Sequence, residues 1–122
     1  DLKTQLIAVY RATDGWIKTI DGRSIKCRSE HSLVNALFQS TGAIIMKYAM
    51  VIADHYIRKT YGDRAIGLIK YHDEEIWECD PDIAEDIMKI GCASVSAAAK
   101  KLNLRVPLLA EGKVGTCWAD IH

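Results

Sequence analysis

Residues 65–79 read AIGLIKYHDEEIWEC, two apolar runs separated by a short polar cluster. The runs at 65–71 and 76–79 are rich in β-branched and aromatic residues, which predicts two antiparallel strands. The polar residues 72–75 form the tight connection between these strands. The remaining elements are predicted from their position relative to this hairpin.

The hairpin is flanked by two segments with helical periodicity. Segment 29–62 carries a broad apolar stripe and ends at Gly62, the residue type that most often follows a helix. Segment 80–103 begins with Asp80 and Pro81, a helix cap followed by proline at the first helical position. Both segments are therefore predicted to be helices.

Shorter elements are predicted at both ends of the chain. Residues 1–14 form a helical lead-in, and residues 15–28 form a second hairpin in which Asp21-Gly22 is a two-residue type I′ turn. Pairing across that turn places six side chains on one face: Trp16, Lys18, Ile20, Arg23, Ile25 and Cys27.

The segment 104–122 is predicted to hold a last strand and a tail, because apolar residues alternate along 104–110. The order is then hairpin, helix, strand, strand, helix, strand. This order predicts an α+β fold, with an antiparallel sheet covered on one face by two helices.

Length and composition exclude several classes of protein. The chain has 122 residues, enough for one domain, and 49% of them are hydrophobic, which excludes intrinsic disorder. Sixteen basic residues balance sixteen acidic ones, which excludes an obvious basic nucleic-acid binder. The longest apolar stretch, 42–53, is too short to span a membrane, and no signal peptide is expected. Because the first residue is Asp, we expect a processed chain or a piece of a longer one.

The cysteines favour a reducing compartment. Cys27, Cys79, Cys92 and Cys117 form no C-x-x-C pair, so no zinc site is predicted. Since no secretory context is visible, we predict reduced thiols in the cytoplasm.

The first candidate site is the polar connection His72-Asp73-Glu74-Glu75. Adjacent carboxylates repel each other by about 1 kcal/mol at about 4 Å in water, and a divalent cation removes that cost. Ligands that offer only oxygen favour Mg²⁺ over Zn²⁺. A solvated acidic turn explains the same residues without a metal, and the spacing alone favours that simpler interpretation.

The second candidate site is a polar strip on the long helix. His31, Asn35 and Gln39 are spaced four residues apart, and Gly42 continues the strip without a side chain. Amide side chains both donate and accept hydrogen bonds, which suits contact with base edges in a DNA minor groove. An ordinary exposed helix face has the same pattern and is favoured when the strip is taken alone.

Five segments together resemble a known family. They are GWIKTIDGR at 15–23, H-x-x-x-N-x-x-x-Q-S-x-G at 31–42, YHDE at 71–74, VPL at 106–108 and EGKxGxxW at 111–118. In this order and spacing they resemble the C-terminal part of the palm of family A DNA polymerases, the DNA polymerase I family. The resemblance is greatest to the replicative polymerases of short-tailed phages, and it runs from about Gly15 to the end of the chain. The 122 residues then correspond to the last part of a longer domain.

The resemblance assigns roles to the acidic hairpin. Asp73 matches the motif C aspartate that binds the catalytic metals, and Glu74 matches the adjacent acid that supports the metal site less directly. His72 matches a histidine that touches the primer end. Glu75 departs from the pattern, since a strand aliphatic is usual at its position.

The resemblance also implies DNA contacts. Asn35 and Gln39 match side chains that contact the primer–template duplex, and Arg23 is expected to contact the DNA backbone. His31 is also assigned as a DNA-binding residue, although many relatives have an arginine that holds DNA at this position.

Several parts of a family A polymerase have no counterpart in the sequence. Motif A, with the second metal-binding aspartate, is absent, and so are the fingers helix and the thumb. The resemblance therefore implies two Mg²⁺ ions shared with a motif A aspartate of the remaining polymerase polypeptide, with primer–template DNA and dNTP as further partners and no membrane. The isolated chain is predicted to be inactive, and its location is the cytoplasm of a bacterial or phage-infected cell.

Two other functions stay open on the residues alone. A non-catalytic module could keep the palm fold and bind DNA or a protein. A metal phosphohydrolase of the His-Asp type would need further helical histidine and aspartate ligands, whereas His72 and Asp73 lie between strands.

Overall fold

A computed structural model describes all residues from Asp1 to His122. The elements are the helices α1 (Leu2–Ala12), α2 (Leu33–Tyr61) and α3 (Ala84–Lys101), and the strands β1 (Trp16–Lys18), β2 (Ser24–Lys26), β3 (Ala65–Tyr71) and β4 (Glu74–Cys79). The strands form two antiparallel two-stranded sheets, β1–β2 and β3–β4. The predicted α+β class is confirmed. The chain divides into two compact units, Asp1–Ile44 and Ile45–His122.

The first unit is built around a small apolar core. Leu6 of α1, Ile17 of β1 and Leu33 of α2 are buried together with Cys27. Asp1 caps α1, because its carboxylate accepts a hydrogen bond of 2.8 Å from the Thr4 backbone N–H. The core of this unit thus joins the amphipathic α1 to the first hairpin and to the start of α2.

The turn of the first hairpin differs from the predicted type I′ turn. Only Gly22 has a positive φ, +88°. The Gly22 N–H donates to the Thr19 carbonyl at 3.0 Å, and the Thr19 N–H donates to the Arg23 carbonyl at 2.7 Å. The loop therefore has three residues, and Asp21 stabilises it by accepting hydrogen bonds from the Thr19 hydroxyl and the Arg23 guanidinium.

This longer loop shifts the strand register by one residue, and such a shift exchanges the two faces. Ile17 pairs with Ile25 and is 1% exposed. Trp16, which was predicted to share a face with Ile25, is 42% exposed and lies under the Lys26 ammonium, 5.6 Å from the ring centroid. The predicted face of this hairpin was wrong for that reason.

The second unit contains the β3–β4 hairpin, α3 and the second half of α2. Its buried core consists of Ala53, Ile57, Ala65, Ile83 and Ile87, and Trp77 and Cys79 pack against it. Gly62 has φ +61° where α2 ends, as predicted. One face of the hairpin is thus covered by helices, as the sequence predicted for its sheet.

The predicted strand at 104–110 is absent, since this segment has irregular backbone. It runs along α3 instead: the Ser96 hydroxyl donates to the Leu108 carbonyl at 2.8 Å. Pro107 has no N–H to offer a neighbouring strand. The prediction of a strand at 104–110 was therefore wrong, because the partner of this segment is a helix side chain and no neighbouring strand is present.

The segment Glu30–Arg64 is long and apolar enough to cross a membrane by length and composition alone, with a mean hydropathy of 1.4 in its most apolar window. The core helix of a larger domain has the same composition. In the second unit, Ala53 and Ile57 of α2 are fully buried in the packed core. Along α2, buried residues such as these alternate with exposed apolar side chains such as Phe38 and Val51.

Candidate catalytic site

The tip of the second hairpin is a two-residue loop, His72-Asp73, closed by the pair Tyr71 and Glu74. His72 has φ +54°, a left-handed conformation that is uncommon for a residue with a side chain. Two-residue hairpin loops require a positive φ, and His72 supplies it here. The His72 ring also packs against the Tyr71 ring, with centroids 4.3 Å apart. These contacts hold Asp73 at the tip.

The Asp73 side chain is exposed and takes part in none of the ion pairs of the chain. An exposed carboxylate with no cation beside it is free to bind a metal or a donor from another molecule. Its exposure follows from the short loop, which gives the aspartate no neighbouring segment to pack against.

The three consecutive acids do not form one cluster. Glu74 and Glu75 belong to β4, and neighbouring residues of a strand point to opposite faces. Glu74 is paired with the Tyr71 backbone and Glu75 with the Lys70 backbone. The expected crowding of acids is therefore relieved by the strand itself, and no group of three or more histidine, cysteine or acidic residues could hold a metal ion. Asp73 fits Mg²⁺ only as one ligand of a site whose other ligands come from outside this chain.

Glu74 is engaged by a residue from the far end of the chain. The Nε2 of His122 lies 2.7 Å from Oε1 of Glu74. The hydrogen bond to Glu74 raises the pKa of His122, and the bond to the Trp118 carbonyl adds to this effect. The sequence pattern around motif C did not identify His122. Its only local signal is its place four residues after Trp118, one helical turn along the chain.

Glu75 lies in a different environment from its two acidic neighbours. Burial raises the pKa of its carboxyl group, and its Oε1 is buried with no hydrogen-bond partner. The indole Nε1 of Trp77 is buried without a partner as well. Glu75 and Trp77 line an open groove of about 670 Å³, whose wall also includes Val51, Ile66 and Leu68. This groove is thus partly apolar and contains two polar atoms without a well-formed hydrogen bond, although the Trp77 N–H still lowers the pKa of Glu75 against the larger effect of burial.

The residues predicted to bind DNA all lie in the first unit. Asn35 and Gln39 are exposed on α2, one turn apart, as the spacing predicted. His31 is also exposed, but it lies in a short 3₁₀ turn, Glu30–Ser32, before α2 begins. The regular helical strip therefore starts at Asn35. Arg23 is 62% exposed at its side chain and donates to Asp21 at 2.6 Å.

Residues 11–120 match the family model described as DNA polymerase family A. The chain belongs to DNA polymerase family A, and the resemblance seen in the sequence is confirmed.

Similar proteins include phage and bacterial polymerases. The chain is 29% identical to the DNA-directed DNA polymerase of Escherichia phage Phieco32 over 92% of its own length and 19% of that protein. It is 32% identical to the DNA-directed DNA polymerase of Escherichia phage T7, over 88% of the chain and 16% of the phage protein. With DNA polymerase I of Pseudomonas aeruginosa it shares 30% identity, over 91% of the chain and 13% of that protein. The chain thus spans less than a fifth of the length of these relatives.

A solved structure has the same fold. The POL domain of Pol1 from M. smegmatis, in complex with DNA primer-template and dNTP, superposes with a TM-score of 0.67 at 23% identity. The match covers 79% of this chain and 19% of the other. The α+β arrangement is therefore that of a portion of a polymerase domain.

Proposed function

We propose that the chain is the C-terminal palm segment of a DNA-directed DNA polymerase and supplies the motif C carboxylate, Asp73, for two-metal nucleotidyl transfer. The observation that carries this proposal is the free carboxylate of Asp73 at the tip of a two-residue loop, in a chain whose family is that of DNA polymerases. A metal-binding carboxylate must be exposed and fixed in place, and the loop provides both conditions.

The residues of the loop and their neighbours have different proposed roles in this function. When bound, two Mg²⁺ ions would activate the primer 3′-hydroxyl and neutralise the leaving pyrophosphate. Asp73 binds metal, His72 contacts the primer end, and Glu74 supports the site less directly because its carboxylate is engaged by His122. The protein contributes mainly positioning and charge neutralisation in phosphoryl transfer of this kind.

DNA contact is assigned to the first unit. The exposed amides of Asn35 and Gln39 can donate to the acceptors that every base pair presents in the minor groove. Arg23 and His31 are proposed to contact the DNA backbone, where cations neutralise phosphate. Of these two, Arg23 shares its charge with Asp21 in the absence of DNA.

The remaining polymerase polypeptide is proposed to complete the palm with motif A, the fingers and the thumb. Three apolar residues of β3 support this: Ile66, Leu68 and Ile69 are 58%, 53% and 47% exposed. Contiguous exposed apolar side chains mark a surface that is covered in the functional protein. We accordingly propose that the isolated chain is inactive. The complete polymerase is proposed to act in the cytoplasm of a bacterial or phage-infected cell.

A complementation experiment tests this function. The purified chain is assayed for nucleotide incorporation on a primed template, alone and with a polypeptide that carries motif A, the fingers and the thumb of a family A polymerase. We expect incorporation only in the mixture and its loss with Asp73→Asn, while the exposed Asp63→Asn serves as the matched control. If the chain alone incorporates nucleotide and Asp73→Ala abolishes this activity, the proposed inactivity is contradicted. If Asp73→Asn leaves incorporation by the mixture unchanged, the proposed role of Asp73 is contradicted.

A second function is a non-catalytic module that keeps the palm fold and binds DNA or a protein. The finding that favours it is the exposed apolar face of β3 at Ile66, Leu68 and Ile69, which a protein partner without polymerase motifs could also cover. Native mass measurement separates the two functions. A stable complex with a motif A polypeptide supports the polymerase segment. A well-folded monomer that does not bind this polypeptide supports the non-catalytic module.

A further inference from the structure

The last residues of the chain are fixed to α3 along their path. The Ser96 hydroxyl of α3 holds the Leu108 carbonyl at 2.8 Å. Gly112 lies so close to α3 that a Cβ atom there would clash with the Met88 side chain. Glycine therefore fits at position 112 without any shift of the helix or the tail, and a larger residue does not.

Beyond this point the tail closes on itself. The backbone N–H and the hydroxyl of Thr116 both donate to Oδ2 of Asp120, at 2.8 and 2.7 Å. A Cβ atom at Gly115 would clash with the Asp120 side chain. These contacts connect the 3₁₀ turn Trp118–Ile121 to the segment before it.

His122 is oriented by this turn. Its ring stacks on Trp118, with centroids 4.0 Å apart and planes 22° apart, and its Nδ1 lies 3.0 Å from the Trp118 carbonyl oxygen. A carbonyl oxygen only accepts, so Nδ1 is the donor in this contact. The other ring nitrogen, Nε2, lies 2.7 Å from Oε1 of Glu74, which is an acceptor as well. Because both partners are acceptors, the two contacts are made together only by the cationic ring, in which Nδ1 and Nε2 each carry a proton.

Building on the proposed function, we propose that the tail, residues 104–122, is a strap that positions Glu74 through His122. His122 occupies Oε1 of Glu74, whereas the adjacent Asp73 has no ion-pair partner in this chain. His122 is therefore a positioning residue for Glu74. It holds Glu74 at the base of the loop, while the adjacent Asp73 stays available to metal.

The strap is tested with variants that separate stacking from hydrogen bonding. His122→Phe keeps an aromatic ring over Trp118 but removes the donor to Glu74. His122→Gln keeps a donor and loses the ring. Both variants are compared with the wild-type chain by amide hydrogen exchange at Tyr71 and Glu74 and by titration with Mn²⁺ alone, read from broadening of the Asp73 and Glu74 amide signals.

We expect His122→Phe to lower the protection of the two amides about tenfold, the effect of losing a hydrogen bond to a charged group. Its affinity for Mn²⁺ should rise about fivefold, because a second carboxylate becomes free to bind. His122→Gln should stay close to wild type in both measurements. In a Glu74→Ala background, His122→Phe should change neither value.

Three outcomes would contradict the proposed positioning of Glu74 by the strap. His122→Phe could match wild type, which would reduce the contact to tail packing. His122→Gln could match His122→Phe, which would assign the effect to the lost ring. The effect could also persist without the Glu74 side chain. None of these measurements needs nucleotide incorporation, so they can fail while the complementation experiment succeeds, and the reverse also holds.

Discussion

The imidazole Nε2 of His122 lies 2.7 Å from the Glu74 carboxylate, while the carboxylate of the preceding Asp73 has no ion-pair partner. Two adjacent acids of the hairpin tip are therefore in different environments in the same chain.

The two acids should differ in their effect on catalysis. In the complemented polymerase we expect Asp73→Asn to lower the rate of incorporation at least about 1,000-fold, since a lost metal ligand forfeits several kcal/mol of transition-state stabilisation. Glu74→Gln should lower it only about tenfold, because its partner is His122. Single-turnover incorporation measures both. Equal losses for the two variants would contradict the division of roles.

Gly112 should tolerate no side chain. Gly112→Ala forces a shift of the Met88 side chain or of the tail and should cost about 1–3 kcal/mol in the free energy of unfolding, measured in urea. The double variant with Met88→Ala should recover part of that loss. Gly42→Ala is the matched control: nothing lies within 4 Å of its Cβ, and alanine in a helix should stabilise the chain by up to about 1 kcal/mol. A neutral Gly112→Ala would show that the tail does not follow this route.

Glu75 should destabilise the chain at neutral pH. Burial raises its pKa above the ordinary value, so the cost of ionisation is present at pH 7, declines as the pH falls through the folded-state pKa, and is absent below the unfolded-state pKa. Glu75→Gln should therefore raise the free energy of unfolding by about 1 kcal/mol at pH 7 and by less near pH 4. The exposed Glu78→Gln on the same strand is the control. A gain that does not depend on pH would exclude ionisation as the cause.

Asp21 should titrate at unusually low pH. Hydrogen bonds from the Thr19 hydroxyl and the Arg23 side chain lower its pKa to about 2. The stability that these bonds confer is present above the ordinary pKa of 3.8 and is lost as the pH falls through about 2. Carboxyl NMR should place the midpoint near 2, and Thr19→Val should raise it. A midpoint that Thr19→Val leaves unchanged would contradict the hydrogen-bonded loop.

The proposed DNA contacts should separate by their dependence on salt. In the complemented polymerase, Arg23→Ala should weaken primer–template binding and reduce the slope of log affinity against log salt by about one phosphate contact. Asn35→Ala and Gln39→Ala should weaken binding by about 1–3 kcal/mol each with the slope unchanged. Fluorescence anisotropy at several salt concentrations measures both quantities, with the exposed Gln5→Ala as the control. A change of slope with either amide would assign it to phosphate.

Local chemistry was enough to predict the second hairpin and both long helices. The loop was placed at 72–75, whereas it has only two residues, His72 and Asp73. Acidic residues are poor strand formers, so the pattern gave no reason to extend β4 to Glu74. The pairing of Glu74 with Tyr71 and of Glu75 with Lys70 overrides that preference.

The wrong predictions concern features that depend on contacts which local periodicity does not specify. The first turn depends on a carboxylate, Asp21, that accepts hydrogen bonds from both sides of the loop, and composition alone does not specify this. The missing strand at 104–110 has alternating residues but no strand beside it. The contact between Glu74 and His122 joins residues that are 48 positions apart, a separation that no local pattern can reveal.

The exposed apolar residues of β3 have a consequence for how such a chain must be produced. A two-stranded sheet has two open edges, and an open edge beside Ile66 and Leu68 can pair with another copy of the same chain. Self-association of this kind grows with concentration, and so it would compete with docking of the proposed completing polypeptide. Under the proposed function, the chain in excess over that polypeptide would therefore aggregate, and equal amounts of the two would favour the soluble complex.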